Sequence, residues 1–226
     1  MAYLMGSSSQ KKKFDPEKFD PSPYTDTAMR QFWKDHMDHF VNKLIEHTYA
    51  IPEINERFEK LVKEVNRRYG RLTIARITTY FPESHSILGG AGLSKDGSAE
   101  LSLIMPAIMD AYYRMQASGH THLEKLFEHM VIIGIMHELD HIAHEKILGT
   151  RSNPPPLSVL LDKETKAWAL TCEYTIRPLV ERHGVPLTPS DFNYYNTWLR
   201  ADRNVESSVW KEFIRNTYID TALKRN

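Results

Sequence analysis

One stretch constrains this chain more than any other: VIIGIMHELDHIAHEKILG, residues 131–149. Three histidines and two glutamates fall within residues 137–145, yet strongly apolar runs stand on both sides. Drawing such groups out of water is costly unless each finds a partner. The segment must therefore pair its polar groups with one another or with a cation. Upstream, Leu126, Phe127, Met130 and Ile133 continue the same helical spacing, and Thr121 with Glu124 forms a capping-box pattern. A long and mostly buried helix is expected, ending by Gly149.

On that helix, residues four apart share a face, so His137 and His141 present two imidazoles to one point, with Glu138 beside them. A zinc ion held there lowers the pKa of a bound water toward neutrality, and a glutamate can take the proton as the water attacks a carbonyl. The competing reading is a helix whose two histidines satisfy each other or nearby carboxylates. It leaves many buried polar groups to account for.

The rest of the chain sets this helix in a mixed architecture. Residues 1–24 are rich in Ser, Lys, Asp and Pro without periodicity and read as a flexible N-terminal arm; residues 25–226 read as a single domain. From Thr25 and Asp26 a helix is expected through Met29, Phe32, Trp33, Met37, Phe40, Val41, Leu44 and Ile45; His36 and His39 on it read as structural or solvated. A second helix carries Ile54, Phe58, Leu61, Val62, Val65 and Tyr69 and stops at Gly70. Residues 72–80 read as a strand with a bulge near Ala75 and Arg76. Residues 99–106 read as a second strand closed by Pro106, which opens a helix through Ala111, Tyr112 and Met115.

Between the strands, GGAGLSKDG lacks the spacing of a phosphate-binding loop and reads as a hairpin-like connection. After the proline run at residues 154–156 a new helix is expected from Ser158 or Asp162 to Gly184. A further helical region follows from Thr188, rich in Tyr194, Tyr195, Trp198, Trp210 and Phe213.

Composition removes several function classes. The 29 basic and 29 acidic residues cancel, and the basic run at residues 11–13 reads as a solvated tail, so nothing points to nucleic acid. Cys172 is the only cysteine, which excludes an internal disulfide. The longest apolar run, residues 130–136, is far too short to span a bilayer, and no apolar segment of signal-peptide length opens the chain. The expectation is a soluble, cytoplasmic protein with no membrane partner.

The pentapeptide His137-Glu138-Leu139-Asp140-His141 resembles the H-E-x-x-H signature of the zincin metallopeptidases. The resemblance covers about residues 72–180. It implies an α+β fold, mostly helical and zincin-like, with a small β-sheet packed against the active-site helix. It implies one zinc ion, His137 and His141 as metal ligands, Glu138 as catalytic base, and a peptide or protein substrate. In the gluzincin and minigluzincin branch the third ligand is a glutamate on the next helix, and here Glu164 precedes Ala167-Trp168 in an ExxAW arrangement similar to that branch. Glu164 lies 164 − 141 = 23 residues beyond His141, enough for a turn and an antiparallel return.

Glu173 is its rival, but nine helical residues at about 100° each put it on the opposite side, and Arg177 offers it an ion pair. Asp140 departs from the usual uncharged residue; it either orients a ligand or makes a salt bridge. His144 shares the histidine face and reads as a rim or supporting residue, since three ligands from one straight helix seldom converge. By resemblance residues 99–105 are a candidate edge strand for an extended substrate, with a core strand as the other reading. His144, His183, Tyr194 and Tyr195 are candidates for stabilising an oxyanion.

HELDH is also similar to the HExDH motif of peptide deformylases, but their cysteine ligand precedes the histidine helix, whereas Cys172 follows it and reads as a small buried residue. The expected function is a zinc metallopeptidase. The alternatives are a non-catalytic zinc-containing scaffold or regulatory binding protein, and a deformylase-like amidohydrolase.

Overall fold

The computed structural model describes residues 25–77, 89–117, 119, 122–144 and 157–185. The expected N-terminal arm, the capping residue Thr121, residues 78–80 of the first strand, the last turn toward Gly149 and the helical region from Thr188 lie outside the described residues. Within them the architecture is α+β and mostly helical, with one small mixed sheet.

The Thr25 hydroxyl accepts from the Ala28 N–H at 3.2 Å and starts α1 (Asp26–His36). The single helix expected over this region is two, because Met37 leaves helical geometry at φ −123°, ψ −39° before α2 (Asp38–Ile45). Its N–H still bonds Trp33 and its carbonyl still accepts from Val41, so apolar spacing runs unchanged through a break it cannot reveal. Met29, Phe32, Met37, Phe40 and Leu44 are all buried; Ile45 is exposed. Helix α3 (Pro52–Tyr69) opens on a proline, buries Ile54, Phe58, Leu61 and Val65, and stops at Gly70, whose φ of +77° suits a residue without Cβ.

Three strands follow where two were expected: β1 (Leu72–Ile77), β2 (Gly89–Leu93) and β3 (Ala99–Ile104), in the order β1-β3-β2. β1 pairs with β3 in parallel and unbroken register from Leu72↔Ala99 to Ile77↔Ile104, so there is no bulge at Ala75. A hairpin cannot join parallel neighbours. The glycine-rich segment read as a connection is instead β2, paired antiparallel with β3 from Gly89↔Leu103 to Leu93↔Ala99. Its turn is held by Asp96, which accepts from the Ser98 N–H at 3.0 Å, and by Gly97 at φ +82°. Glycines disguised the strand because strand signals rest on side chains.

Helix α4 (Met105–Ala117) leaves the sheet directly. Tyr112 on it meets Phe32 of α1 and Phe127 of the next helix edge-on, at 5.3 and 5.0 Å. That next helix is α5 (Leu123–His144), in which fifteen of 22 residues are buried. A helix apolar nearly all round belongs in a core. Ile132, Ile133 and Ile135 expose nothing, and burial of each contributes about 1.5–3 kcal/mol.

Helix α6 (Leu157–Thr171) runs into a π-helical segment (Cys172–Ile176) and then α7 (Arg177–His183). Pro178 has no N–H to return to the preceding turn, and just before it the register widens, the Arg177 N–H reaching the Cys172 carbonyl. Gly184, left-handed at φ +60°, ends the rod where expected. Helices α3 and α6 and strand β2 all pack on α5, and one apolar cluster extends from Met29 to Val185. Among the described residues no helix is long and apolar enough to cross a membrane.

Candidate metal centre

The C-terminal half of α5 carries His137, Glu138, Asp140 and His141, and α6 lays Glu164 against them. His137 Nε2 stands 3.2 Å from His141 Nε2 and 3.3 Å from Glu164 Oε2; His141 Nε2 stands 3.2 Å from Glu164 Oε1. Ligands at about 2.0–2.1 Å from a tetrahedral ion are about 3.3 Å apart; each imidazole nitrogen has that spacing to the other and to one Glu164 oxygen, Oε2 facing His137 and Oε1 facing His141. These three residues form a group whose ligand atoms lie within 4.8 Å of one another. Two imidazoles and one carboxylate are a donor set suited to a zinc-type ion.

Electrostatics agree with the geometry. Burial would push the Glu164 carboxyl up, but the charge of His141 and hydrogen bonds with His137 and His141 hold it well below the usual carboxylate range. Glu138 behaves oppositely. Burial pushes it up to about 7; His141 opposes the rise, and Glu164 adds to it. A carboxyl poised near neutrality can both accept and release a proton.

No protein-family description, curated protein or solved structure matches the chain.

The cluster is tightly supported. Trp168, one turn from Glu164, lies tilted over the His137 ring at 4.3 Å between centroids. Thr171, two turns from Glu164, puts its hydroxyl 3.4 Å from His137 Nδ1 and 3.1 Å from Asp140 Oδ2. The other oxygen of Asp140 accepts from Arg57 of α3, and Arg68 donates to the Ile142 and Ala143 carbonyls. Two arginines of α3 thus hold the histidine-bearing half of α5. Burial raises the Asp140 carboxyl to about 6 despite Arg57 and Thr171. Of the two roles open to Asp140, the structure contains both the salt bridge and a contact leading to a ligand.

β2 closes over Glu138. A Cβ built on Gly89 would stand 3.3 Å from Glu138 Cγ and 3.2 Å from the Ser102 carbonyl oxygen, so any side chain there would require Glu138 or the strand to give by a few tenths of an ångström. β3, the edge strand expected from resemblance, is the central strand, and among the described residues β2 is the edge beside the centre. Residues 99–104 take the core reading, with Leu101 and Leu103 buried.

Other candidates fall elsewhere. Glu173 is exposed and ion-paired with Arg177. Cys172 is buried, its thiol pushed up to about 12 by burial, and it is outside the ligand group, so the deformylase reading has no cysteine ligand. His144 is 42% exposed and sits 3.7 Å from Asp140. His183 pairs with Glu53 at 3.0 Å, and His36 with Glu124 at 3.2 Å. His39 packs edge-on against Phe40. Tyr194 and Tyr195 lie outside the described residues.

Sequence reasoning missed Thr171, Arg57 and Gly89. Thr171 carried a signal, since it follows Glu164 and Trp168 at i+7 and i+3 on one helical face. Gly89 was hidden among other glycines. Nothing local marked Arg57, 83 residues from its partner.

Proposed function

We propose that the chain is a zinc-dependent metallopeptidase of the gluzincin type, with His137, His141 and Glu164 as ligands and Glu138 as general base. The observation that carries this reading is the convergence of His137 Nε2, His141 Nε2 and the Glu164 carboxylate, with one ligand atom from each within 4.8 Å of the others and a buried carboxyl beside them. When bound, the ion supplies Lewis acidity toward a water and toward the substrate carbonyl.

The chain's own residues do the rest. A Glu138 carboxylate oxygen accepts a proton from water as the water oxygen bonds to the scissile carbonyl carbon. It then delivers that proton to the amide nitrogen as the C–N bond breaks. One water is consumed: one of its protons reaches the nitrogen through Glu138, the other passes from the new carboxyl to the amine, and the products are a carboxylate and an ammonium group. The β2 edge, half-buried from Gly90 to Gly92, suits an extended peptide aligned by main-chain hydrogen bonds. The reading extends to a peptide or protein substrate and to no nucleic acid or membrane partner.

A second reading draws on depth. His137 exposes nothing and Glu138 only 5%, as suits a zinc-containing scaffold that binds a partner without cleaving it. One experiment separates the two: measure zinc in the purified protein and in Glu138→Gln, then assay both on unfolded protein and peptide mixtures. Equal zinc with cleavage lost in the variant supports hydrolysis. Equal zinc with no cleavage by either supports the scaffold, and no zinc in either removes both.

A further inference from the structure

The Thr171 hydroxyl has three polar neighbours: His137 Nδ1 at 3.4 Å, Asp140 Oδ2 at 3.1 Å and the Ala167 carbonyl oxygen at 2.9 Å. A hydroxyl has one proton and two lone pairs. Carboxylate and carbonyl oxygens only accept; donation to the charged Asp140 oxygen makes the stronger bond, with the Ala167 carbonyl a close neighbour, and a lone pair then faces the imidazole. In that arrangement His137 Nδ1 is the atom placed to donate. That leaves the lone pair of the ring on Nε2, the nitrogen that stands beside Glu164 and His141.

We propose that Thr171 is a positioning residue that selects the Nδ1–H tautomer of His137, and that Arg57, acting through Asp140, anchors it; this rests on the metal reading above. The chain of contacts crosses three helices, from Arg57 on α3 to Asp140 on α5, Thr171 on α6 and back to His137. Thr171 and Asp140 expose nothing, so no water competes for these bonds. The anion of Asp140 faces Arg57, Thr171 and, at 3.7 Å, His144. A helical threonine commonly donates to the carbonyl four residues back, and here the Ala167 carbonyl oxygen competes for the Thr171 proton at 2.9 Å. The contacts to Asp140 and His137 go beyond that habit and give the hydroxyl a role toward the ligand. Residues that orient metal-binding histidines in this way change metal affinity by about 10–100-fold when removed.

The test titrates zinc chloride, against a chromophoric chelator, into the full chain and into Thr171→Val and Thr171→Ser, with melting temperatures measured alongside. Valine keeps the shape and deletes the hydroxyl; serine keeps the hydroxyl and deletes the methyl. The expected result is zinc affinity about 10–100-fold weaker in Thr171→Val and near wild type in Thr171→Ser, even if serine lowers the melting temperature more. Nuclear magnetic resonance of the zinc-loaded wild type should show a slowly exchanging Nδ1 proton on His137, absent in the valine variant. Unchanged affinity in Thr171→Val, or serine as weak as valine, overturns the role of Thr171 while leaving the metal centre standing. A wild type that takes up no zinc overturns both.

Discussion

Arg57 on α3 and Asp140 on α5 form an ion pair almost out of reach of water, their side chains 9% and 0% exposed. Such a pair adds little over apolar neighbours, but breaking it strands a charge. Arg57→Met should therefore cost about 3–5 kcal/mol of folding stability, read from urea denaturation. The deficit should shrink as the pH is lowered, because the stranded carboxyl then takes up a proton. The double variant Arg57→Met, Asp140→Leu should recover most of the loss; no recovery would mean the pair is not the source.

Glu164 and Glu173 make opposite predictions. Glu164→Ala removes one of three ligands and should abolish tight zinc binding, measured by metal analysis after dialysis. Glu173→Ala removes an exposed ion pair with Arg177, worth at most about 1 kcal/mol, and should keep its zinc. The reverse order of metal loss would overturn the ligand assignment.

Gly89 lies close against Glu138. Gly89→Ala forces either Glu138 or β2 to shift by a few tenths of an ångström, and a larger residue by more. Zinc content should stay at the wild-type level, since no ligand moves. kcat/KM on a peptide substrate should fall, by less than the roughly 100-fold that a misplacement of about 1 Å can cost. Full activity in Gly89→Val would show that the strand yields without disturbing the carboxylate.

His129 on α5 is 1% exposed, and neither ring nitrogen has a well-formed hydrogen bond. Burial lowers its pKa, against the opposing charge of Glu128. Below about 6.5 the unfolded chain takes up a proton that folded His129 resists. Stability from this residue is thus present above that pH and lost as the pH falls through the lowered folded value. Denaturation midpoints should drop from mildly alkaline to mildly acid solution, and His129→Leu should flatten that slope. An unchanged slope would assign the acid sensitivity to other groups.

The helical elements were legible because their apolar spacing is a local property, and the helix ends at Gly70 and Gly184 are set by residues that tolerate positive φ. The sheet was harder. β2 consists of Gly89, Gly90, Ala91, Gly92 and Leu93, and a strand nearly without side chains offers no alternation to count. The parallel pairing of β1 with β3 was equally hidden, because hydrogen-bond partners are chosen by chain direction in space. Thr171 had the right spacing from Glu164, yet its function depends on where Asp140 stands.

By itself the sequence determined that His137 and His141 share a face with Glu138 beside them, because a four-residue interval on a helix permits little else. Only the tertiary structure decided that Glu164, and not Glu173, meets those imidazoles, that Arg57 reaches Asp140, and that β2 lies above Glu138. These relations join segments far apart in the chain. They are fixed by how the helices and the sheet bury their apolar faces together, and no local pattern encodes that arrangement.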